Sequence, residues 1–252
     1  MMKFYIIKAH PEENSFNSSL TKESLKYLKS EGHEVKFNDL YKNSFNPLMS
    51  REDFPKKENQ PLVQFPNAQL EAYQSDQTSI EIKIEQDNIM WSDIIILQFP
   101  LWLYGMPAIL KGWCERILSE GFAHRPSENI WFNNSKLNKK KLLLSITTNG
   151  RKESFSNKGR HGSLDIILWP IINSFAYSGF NIIKPFIAFD VVRSSDDQRK
   201  IVIQNLKEYL SKINNLPLVE IHNLDDYKKN GTLKEDIKAK TAGQQKPEDF
   251  IK

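Results

Sequence analysis

The sequence predicts an α/β fold, a doubly wound parallel sheet of five strands with helices on both faces. Short runs rich in β-branched and aromatic residues alternate with longer segments whose apolar residues recur at helical spacing. One run, Asp93–Gln98, is apolar almost without interruption, as expected of a strand covered on both faces. The predicted strands are Lys3–Lys8, Glu34–Phe37, Asp93–Gln98, Lys141–Ile146 and Asn181–Phe189.

Each predicted strand is followed by a segment with helical features, directly or after an irregular stretch. Asn14 and Ser15 suit the N-cap of the first helix, and Gly32 suits its end. Pro107 fits the first turn of a later helix, and Pro170 is a candidate kink in another. After the first helix, the predicted helices are Ile80–Trp91, Met106–Leu118, Ser163–Tyr177 and Ser195–Ile213.

Polar stretches interrupt this alternation. Residues 39–78 contain four prolines and are expected to form a long loop, which in a compact domain is usually functional or an arm. Residues 121–140 form a second irregular stretch, and the last forty residues, polar and charge-balanced, are expected to form a tail or arm. We therefore expect one domain over residues 1–215 and a C-terminal extension over residues 216–252.

The composition narrows the class of protein. The chain has 252 residues, of which 39% are hydrophobic and 26% charged, as is typical of a soluble globular protein. The net charge of +4 and the short basic blocks do not predict a nucleic-acid partner. The single cysteine, Cys114, precludes an internal disulfide and fits a reducing compartment. Neither a signal peptide nor a membrane span is evident, so a cytoplasmic location is expected.

Glycine is scarce, with 10 residues in the chain. Their spacing excludes both the GxGxxG dinucleotide fingerprint and the GxxxxGK phosphate loop. No grouping of His, Cys, Asp and Glu has metal-ligand spacing, so no metal site is predicted. A bound nucleotide would have to be held by other means.

Parallel sheets bind ligands at the carboxyl ends of their strands. After the first strand, His10, Ser15, Asn17 and Ser19 surround a predicted helix N-terminus. Free N–H groups and a partial positive charge there suit a phosphate. Helix capping alone explains the same Asn and Ser residues.

The segment after the third strand is aromatic. Trp102, Leu103 and Tyr104 lie between Pro100 and Pro107 and could form a wall for a flat ring. A loop that covers the core would have the same composition, so both interpretations stay open.

The segment after the fourth strand is polar. Thr147, Thr148 and Gly150 suit hydrogen bonds to a planar heterocycle, and His161 further along is the sole candidate general acid.

The other histidines are less suited to catalysis. His33 and His222 are expected at the surface, and His124 could line a pocket.

Taken together, these segments resemble the NAD(P)H:quinone oxidoreductases, the flavodoxin-like enzymes also called DT-diaphorases. The resemblance spans about residues 3–205 in the right order. It is carried by AHPEENSFN (residues 9–17), QFPLWLYGMPAILKGWCERI (98–117), SITTNGRKESFSNKGRHG (145–162) and ILWPI (167–171).

The resemblance implies the flavodoxin-like strand order 2-1-3-4-5, a homodimer with its sites at the interface, and FAD, or FMN as in some short members. NADH or NADPH would be the co-substrate. The implied activity is the two-electron reduction of quinones, with ping-pong hydride transfer through the flavin nitrogen N5.

The resemblance also assigns residues. The flavin phosphates would lie near His10, Ser15, Phe16, Asn17 and Ser19. The ring would lie against Pro100, Leu101, Trp102, Leu103, Tyr104, Thr147, Thr148, Asn149 and Gly150. Arg199 would lie near the cofactor, and Gln64 would reach the partner subunit's flavin, making residues 39–78 a dimer arm. His161 would be the catalytic residue, with Tyr104, His124 and Tyr177 in the substrate pocket.

The chain departs from the family pattern at several of these positions. Phe155 stands where the family has a tyrosine, so a Tyr–His relay cannot operate in that form. Leu103-Tyr104 replaces Trp-Phe, Asn149 replaces a glycine, and His124 stands where the pocket wall has a tyrosine. Substrate preference therefore does not carry over from the resemblance.

Two other functions fit the same resemblance. Some relatives are ancillary regulatory flavoproteins of glutathione-gated potassium-efflux transporters, which would give this chain a membrane transporter as partner. Azo or nitro reduction by the same reduced flavin is the other alternative.

Overall fold

The structure, a computed structural model, describes residues 1–54 and 62–244. Its sheet contains the strands β1 (Lys3–Lys8), β2 (Glu34–Asp39), β3 (Ile94–Pro100), β4 (Lys141–Thr147) and β5 (Asn181–Ala188). The strands pair in parallel in the order β2-β1-β3-β4-β5. This confirms the predicted fold class and strand order.

Six α-helices accompany the sheet in the part of the chain that the structure describes. They are α1 (Phe16–Ser30), α2 (Phe65–Gln74), α3 (Ile80–Trp91), α4 (Ala108–Ile117), α5 (Leu164–Tyr177) and α6 (Asp196–Ser211). Shorter 3₁₀ turns occur at Arg51–Asp53, Pro126–Glu128, Phe132–Asn134, Lys152–Ser154, Leu224–Asp226 and Ala242–Gln244.

The core has two layers, one on each face of the sheet. On one face, Leu20 of α1 and Leu206 of α6 pack with Ile6 and Ile96. On the other face, residues of α3, α4 and α5 pack against the opposite sides of the same strands, with Trp113 almost completely buried. Burial of β3 on both faces explains why its sequence is a continuous apolar run.

Residues 55–61 of the long polar stretch after β2 lie outside the described residues, and the rest of the stretch is more ordered than its prolines suggested. It contains the helix α2, which was expected to be loop. Pro66 lies in the first turn of this helix, where a missing N–H breaks no helical hydrogen bond. Ala68 and Ala72 bury one face of α2 against Phe54 and Val63.

A buried arginine fixes the segment before α2 to the main core. The guanidinium of Arg116 on α4 donates to both carboxylate oxygens of Asp53, at 2.6 and 3.2 Å. It also donates to the carbonyl of Asn46 at 2.7 Å and pairs with Glu81 of α3. Arg116 is only 4% exposed, so these partners provide the hydrogen bonds and the compensating charge that water would provide at the surface.

The C-terminal extension, predicted to be a tail or arm, is docked along the sheet in its described part. The N–H of Val219 donates to the carbonyl of Ile182 at 2.7 Å, and the N–H of Lys184 donates to Pro217 at 3.0 Å. His222, expected at the surface, is buried: its Nδ1 bonds Asp226 and its Nε2 accepts from the N–H of Lys240. Both partners are supplied by the docked segment itself, so sequence composition alone gave no sign of them.

The proline positions differ slightly from expectation. Pro107 is the N-cap of α4 and precedes its first turn, and Pro170 lies inside α5, which continues through it. Within the described residues, no helix has the length and apolarity needed to cross a membrane.

Candidate functional site

A cleft of about 1450 Å³ opens at the carboxyl ends of β1, β3 and β4. The segments singled out in the sequence meet there. The candidate residues that line it are His10, Ser15, Phe16, Asn17, Ser19, Pro100, Leu101, Trp102, Leu103, Tyr104, Thr147, Thr148, Asn149, Gly150, Phe155, His161 and Arg199. Parallel pairing places these strand ends side by side, which is why segments far apart in sequence share one cavity.

The turn after β1 presents a helix N-terminus to the cleft. Ser15 is the N-cap of α1, and its hydroxyl accepts from the N–H of Ser18 at 3.1 Å. The first N–H groups of a helix have no partner within it, so those of Phe16 and Asn17 remain for a ligand. Helix capping and anion binding are therefore compatible here, because they would use different N–H groups.

Asn17 is almost completely buried, at 2% exposure. Its Nδ2 donates to Oγ1 of Thr147 at 3.1 Å, whereas its Oδ1 is buried without a partner in the described part of the chain. A buried carbonyl oxygen without a donor is costly, and a ligand hydroxyl would satisfy it.

The aromatic segment after β3 forms an exposed tight turn. Trp102 and Gly105 exchange two backbone hydrogen bonds, of 3.1 and 2.9 Å, across Leu103 and Tyr104. Both central residues are left-handed, with φ of 47° and 63°, a conformation that glycine and asparagine adopt far more readily. Trp102, Leu103 and Tyr104 are 43%, 98% and 54% exposed, so this loop does not cover the core.

The polar segment after β4 forms the other side of the cleft. The N–H of Thr148 donates to Ala188 at 2.9 Å, and that of Gly150 donates to the hydroxyl of Thr148 at 3.2 Å. A Cβ at Gly150 would lie 2.4 Å from the ring of Phe155, so only glycine fits. The N–H of Asn149 makes no hydrogen bond within the described chain and is left for a ligand.

His161 lies at the mouth of the cleft. Its ring stacks on Phe155, with centroids 4.8 Å apart and an interplanar angle of 30°. Its Nδ1 is 2.9 Å from the hydroxyl of Tyr104. The sequence singled out both residues but gave no sign of this contact.

His10 borders the cleft beside Trp102, with ring centroids 5.6 Å apart. Its Nδ1 accepts from the N–H of Glu12 at 3.0 Å. Partial burial lowers the pKa of His10 from its ordinary value, so its neutral form is favoured at neutral pH.

A basic rim, which the sequence interpretation missed apart from Arg199, borders the cleft. It consists of Arg151, Arg160, Arg193, Arg199 and Lys200. Asp196 is the one acid among the described lining residues. Asp190 and Asp197, outside the lining, pair with other members of the rim, so its excess of positive charge is modest but still favours anionic ligands. The strand-end rule applied to the segment after β5 would have found Arg193.

Two members of the rim are tied to the cleft wall. Arg193 donates to the carbonyl of Asn149 at 2.6 Å. Nε of Arg199 is buried with no partner in the described chain, although its other nitrogens contact Asp196 and Val191. The free Nε is a further donor for a ligand.

Three predicted site residues do not line this cleft. Gln64 is exposed beside α2, and its Oε1 accepts from Asn67 at 2.7 Å. His124 packs edge-on against Tyr177 at 4.8 Å, and its Nδ1 contacts Glu120 at 2.9 Å. A single chain therefore brings together the predicted phosphate and ring residues but not these three.

The arrangement can hold an extended ligand. Its helix N-terminus and basic rim suit phosphates, its aromatic turn suits a flat ring, and His161 stands at the open side. No group of three or more His, Cys, Asp or Glu suited to a metal ion occurs among the residues that the structure describes.

Comparison with known proteins places these features in context. Residues 2–213 match the family model described as a flavodoxin-like fold. The chain is 36% identical over 210 residues to rat NAD(P)H dehydrogenase (quinone) 1, which covers 82% of this chain and 76% of the rat protein. It is 34% identical over 213 residues to mouse ribosyldihydronicotinamide dehydrogenase (quinone), covering 84% and 91% of the two chains.

Solved structures agree in fold. A candidate quinone reductase from Klebsiella pneumoniae superposes with a TM-score of 0.87 at 29% identity, covering 92% of this chain and 94% of that one. The NAD(P)H:quinone oxidoreductase of Methanothermobacter marburgensis superposes with a TM-score of 0.63 at 20% identity, covering 88% and 99%. At that identity the second likeness concerns the fold alone.

Proposed function

Because this chain belongs to the flavodoxin-like family of NAD(P)H dehydrogenases (quinone), we propose that it is an oxidoreductase that reduces quinones with NAD(P)H on an FAD held in the cleft. The observation that carries the proposal is the meeting, in one cavity, of a phosphate-binding helix terminus, a wall for a flat ring and His161.

The residues present fit a flavin. The N–H groups of Phe16 and Asn17, with the free Nε of Arg199, would bind phosphate oxygens. The unpartnered Oδ1 of Asn17 would accept from a ribityl hydroxyl. The free N–H of Asn149 would bind a polar edge of the ring, while Trp102 would lie against it.

Two features favour FAD over FMN. The cleft of about 1450 Å³ exceeds the roughly 300–1,000 Å³ of ordinary small-molecule sites, which leaves room for a dinucleotide and a substrate. The basic rim continues past Arg199 to Lys200 and Arg193, where a second phosphate would find cationic partners.

When bound, the flavin supplies the chemistry of accepting and donating a hydride, which the side chains lack. The chain's own contribution is positioning and electrostatics. The N–H of Thr148 already donates to Ala188 and that of Gly150 to the Thr148 hydroxyl, so Asn149 is the backbone donor of this segment available for negative charge at the ring edge. The rim would attract the phosphates of NAD(P)H.

His161 would handle the proton. The net reaction of NAD(P)H and a quinone consumes one proton from solution and yields NAD(P)⁺ and a hydroquinone. A histidine at the cleft mouth can donate a hydrogen bond, and then a proton, to the quinone oxygen. Nicotinamide and quinone would use this same cleft in turn, which predicts ping-pong kinetics.

We also propose a homodimer, in which Gln64, His124 and Tyr177 would act at the partner's cleft. Support comes from their position away from their own cleft and from exposed apolar side chains around α2 and α3. Leu62, just before α2, and Ile80, at the start of α3, are each 73% exposed, a large fraction for apolar side chains.

The test is reconstitution. Purified chain is incubated with FAD or FMN, dialysed, and the retained flavin identified by mass spectrometry and absorbance. NADH and NADPH are then titrated, and initial rates are measured on a quinone, an azo dye and a nitroaromatic. Retained FAD, bleached by nicotinamide, with parallel double-reciprocal lines for the quinone, is expected. The proposal fails if the chain stays colourless, or if neither NADH nor NADPH reduces its bound flavin.

A further inference from the structure

The turn that carries Tyr104 adopts an unfavourable backbone conformation. Leu103 and Tyr104 both have positive φ, although neither residue favours the left-handed region. Such residues cost of order 1–3 kcal/mol each and persist where the surrounding structure or a function requires them. Leu103 is 98% exposed and makes no packing contribution that would explain the turn. What the conformation does achieve is the placement of the Tyr104 side chain at His161.

His161 is held from a second side. The backbone N–H of His161 donates to the carbonyl of Ser154 at 3.0 Å, and Phe155 stacks on the imidazole ring. Phe155 in turn rests against Gly150, where no side chain would fit. Stacking on Phe155 therefore sets the plane of the imidazole ring. Because Phe155 has no polar side-chain atom, it does not determine which ring nitrogen carries the proton.

The hydroxyl of Tyr104 is placed to determine which ring nitrogen of His161 carries the proton. It lies 2.9 Å from Nδ1 of His161, in a contact between residues 57 positions apart in sequence. Within the described part of the chain, it is the one side-chain hydrogen bond that the His161 ring makes. A phenol is the stronger donor of the two groups and a neutral imidazole nitrogen a good acceptor, which favours the arrangement in which the Tyr104 hydroxyl donates to an unprotonated Nδ1.

We propose that Tyr104 is a positioning residue that fixes His161 in the tautomer with the proton on Nε2. A donor at Nδ1 requires that nitrogen to be unprotonated, and the neutral ring then carries its hydrogen on the other nitrogen. That N–H is the group His161 would offer to a quinone oxygen, so the inference rests on the proposed function for its catalytic meaning. The tautomer itself does not depend on that function.

The primary test is a nuclear magnetic resonance measurement of the histidine ring nitrogens in ¹⁵N-histidine-labelled protein, free of flavin. The variant His161→Gln assigns the His161 signals. Wild type should show an unprotonated Nδ1 and a protonated Nε2, and Tyr104→Phe should shift His161 to a mixture of tautomers. Tyr209→Phe is the matched control, since its hydroxyl donates to the carbonyl of Lys184, away from the cleft.

The second readout is kinetic, on the flavin-loaded enzyme. Tyr104→Phe should lower kcat for quinone reduction roughly tenfold, below the about 10²–10⁴-fold that a complete general acid contributes, with little change in KM. Tyr209→Phe should leave both unchanged.

The proposal is overturned if wild type carries its proton on Nδ1, or if Tyr104→Phe leaves the His161 signals unchanged. An unchanged kcat beside a changed tautomer would overturn the catalytic part. If wild type reduces no quinone, the proposed function fails, and the tautomer measurement still decides the role of Tyr104.

Discussion

Nδ2 of Asn17 donates to Oγ1 of Thr147 at 3.1 Å, and this bond joins the first turn of α1 to the end of β4 beneath the cleft. The two residues are 2% and 4% exposed. Two walls of the candidate flavin site therefore share one buried hydrogen bond, and changes at either residue are expected to affect the other wall.

Asn17→Asp should weaken flavin binding. The substitution is nearly isosteric, but it adds a negative charge close to the helix N-terminus that is expected to bind phosphate. A carboxylate at a helix N-terminus is favourable for the helix itself, so the fold should persist. We expect a loss of about tenfold or more in flavin affinity, which corresponds to roughly 1.4 kcal/mol of binding free energy. Fluorescence titration of flavin-free protein measures it.

The control for this variant is Asn205→Asp, the same change on the exposed face of α6. It should bind flavin like wild type. Equal affinity in Asn17→Asp and wild type would remove Asn17 from the phosphate site.

Asp53→Ala should destabilise the protein strongly. It removes two hydrogen bonds from the buried guanidinium of Arg116 and leaves that charge poorly compensated. Breaking a buried pair in this way costs about 3–5 kcal/mol. Urea unfolding followed by circular dichroism should show a lower midpoint. Asp76→Asn, which breaks an exposed pair with Lys83, is the comparison and should leave the midpoint nearly unchanged.

Acid should weaken the fold partly through His10. Burial lowers its pKa in the folded chain, so the unfolded chain takes up the proton more readily. The stability that the neutral His10 ring contributes is fully present above the ordinary histidine pKa of about 6.5. It is lost as the pH falls through the lower pKa that His10 has in the folded chain. His10→Gln keeps an acceptor for Glu12 and should show a smaller fall in Tm between about pH 7 and pH 5. Identical Tm profiles for variant and wild type would contradict this.

Cys114 should be chemically silent in the folded protein. It is 7% exposed, and burial raises the pKa of its thiol to about 12. Little thiolate is then present near neutral pH, and a reagent has no access. Ellman's reagent should label it slowly in native protein and at once in guanidinium chloride. Rapid labelling of native protein would mean that α4 opens readily.

Leu103→Asn should stabilise the chain slightly. Asparagine tolerates positive φ better than leucine, and Leu103 loses no packing because it is 98% exposed. An increase of up to about 1 kcal/mol in the free energy of unfolding is expected. Thermal unfolding of flavin-free protein gives the value; a clear decrease would show that Leu103 is packed in the assembled protein.

The strands and most helices could be predicted from the sequence because their apolar periodicity is strong and local. Helix α2 could not, because Pro66 serves equally well in a loop and in the first turn of a helix. The burial of His222 depends on hydrogen bonds to Asp226 and Lys240, which form only when the C-terminal segment docks. The contact of Tyr104 with His161 joins two loops and has no local signature.

Within the site, the resemblance identified the lining of the cleft better than composition did. The aromatic turn could have been a cover for the core until the exposure of Leu103 and Tyr104 showed otherwise. Arg193 was not predicted, because only the segments after the first, third and fourth strands were considered as ligand-binding segments and Arg193 follows β5. Roles assigned to Gln64, His124 and Tyr177 stay predictions, since they require a second chain.

The docked C-terminal segment is expected to protect the protein from aggregation through the edge of its sheet. β5 is the last strand of the sheet, and its backbone groups at Ile182 and Lys184 are occupied by Val219 and Pro217. An unoccupied outer strand is a template on which other chains can add strands and aggregate. Removing the chain from Pro217 onward should therefore convert a well-behaved protein into one that aggregates with rising concentration, and light scattering would detect it.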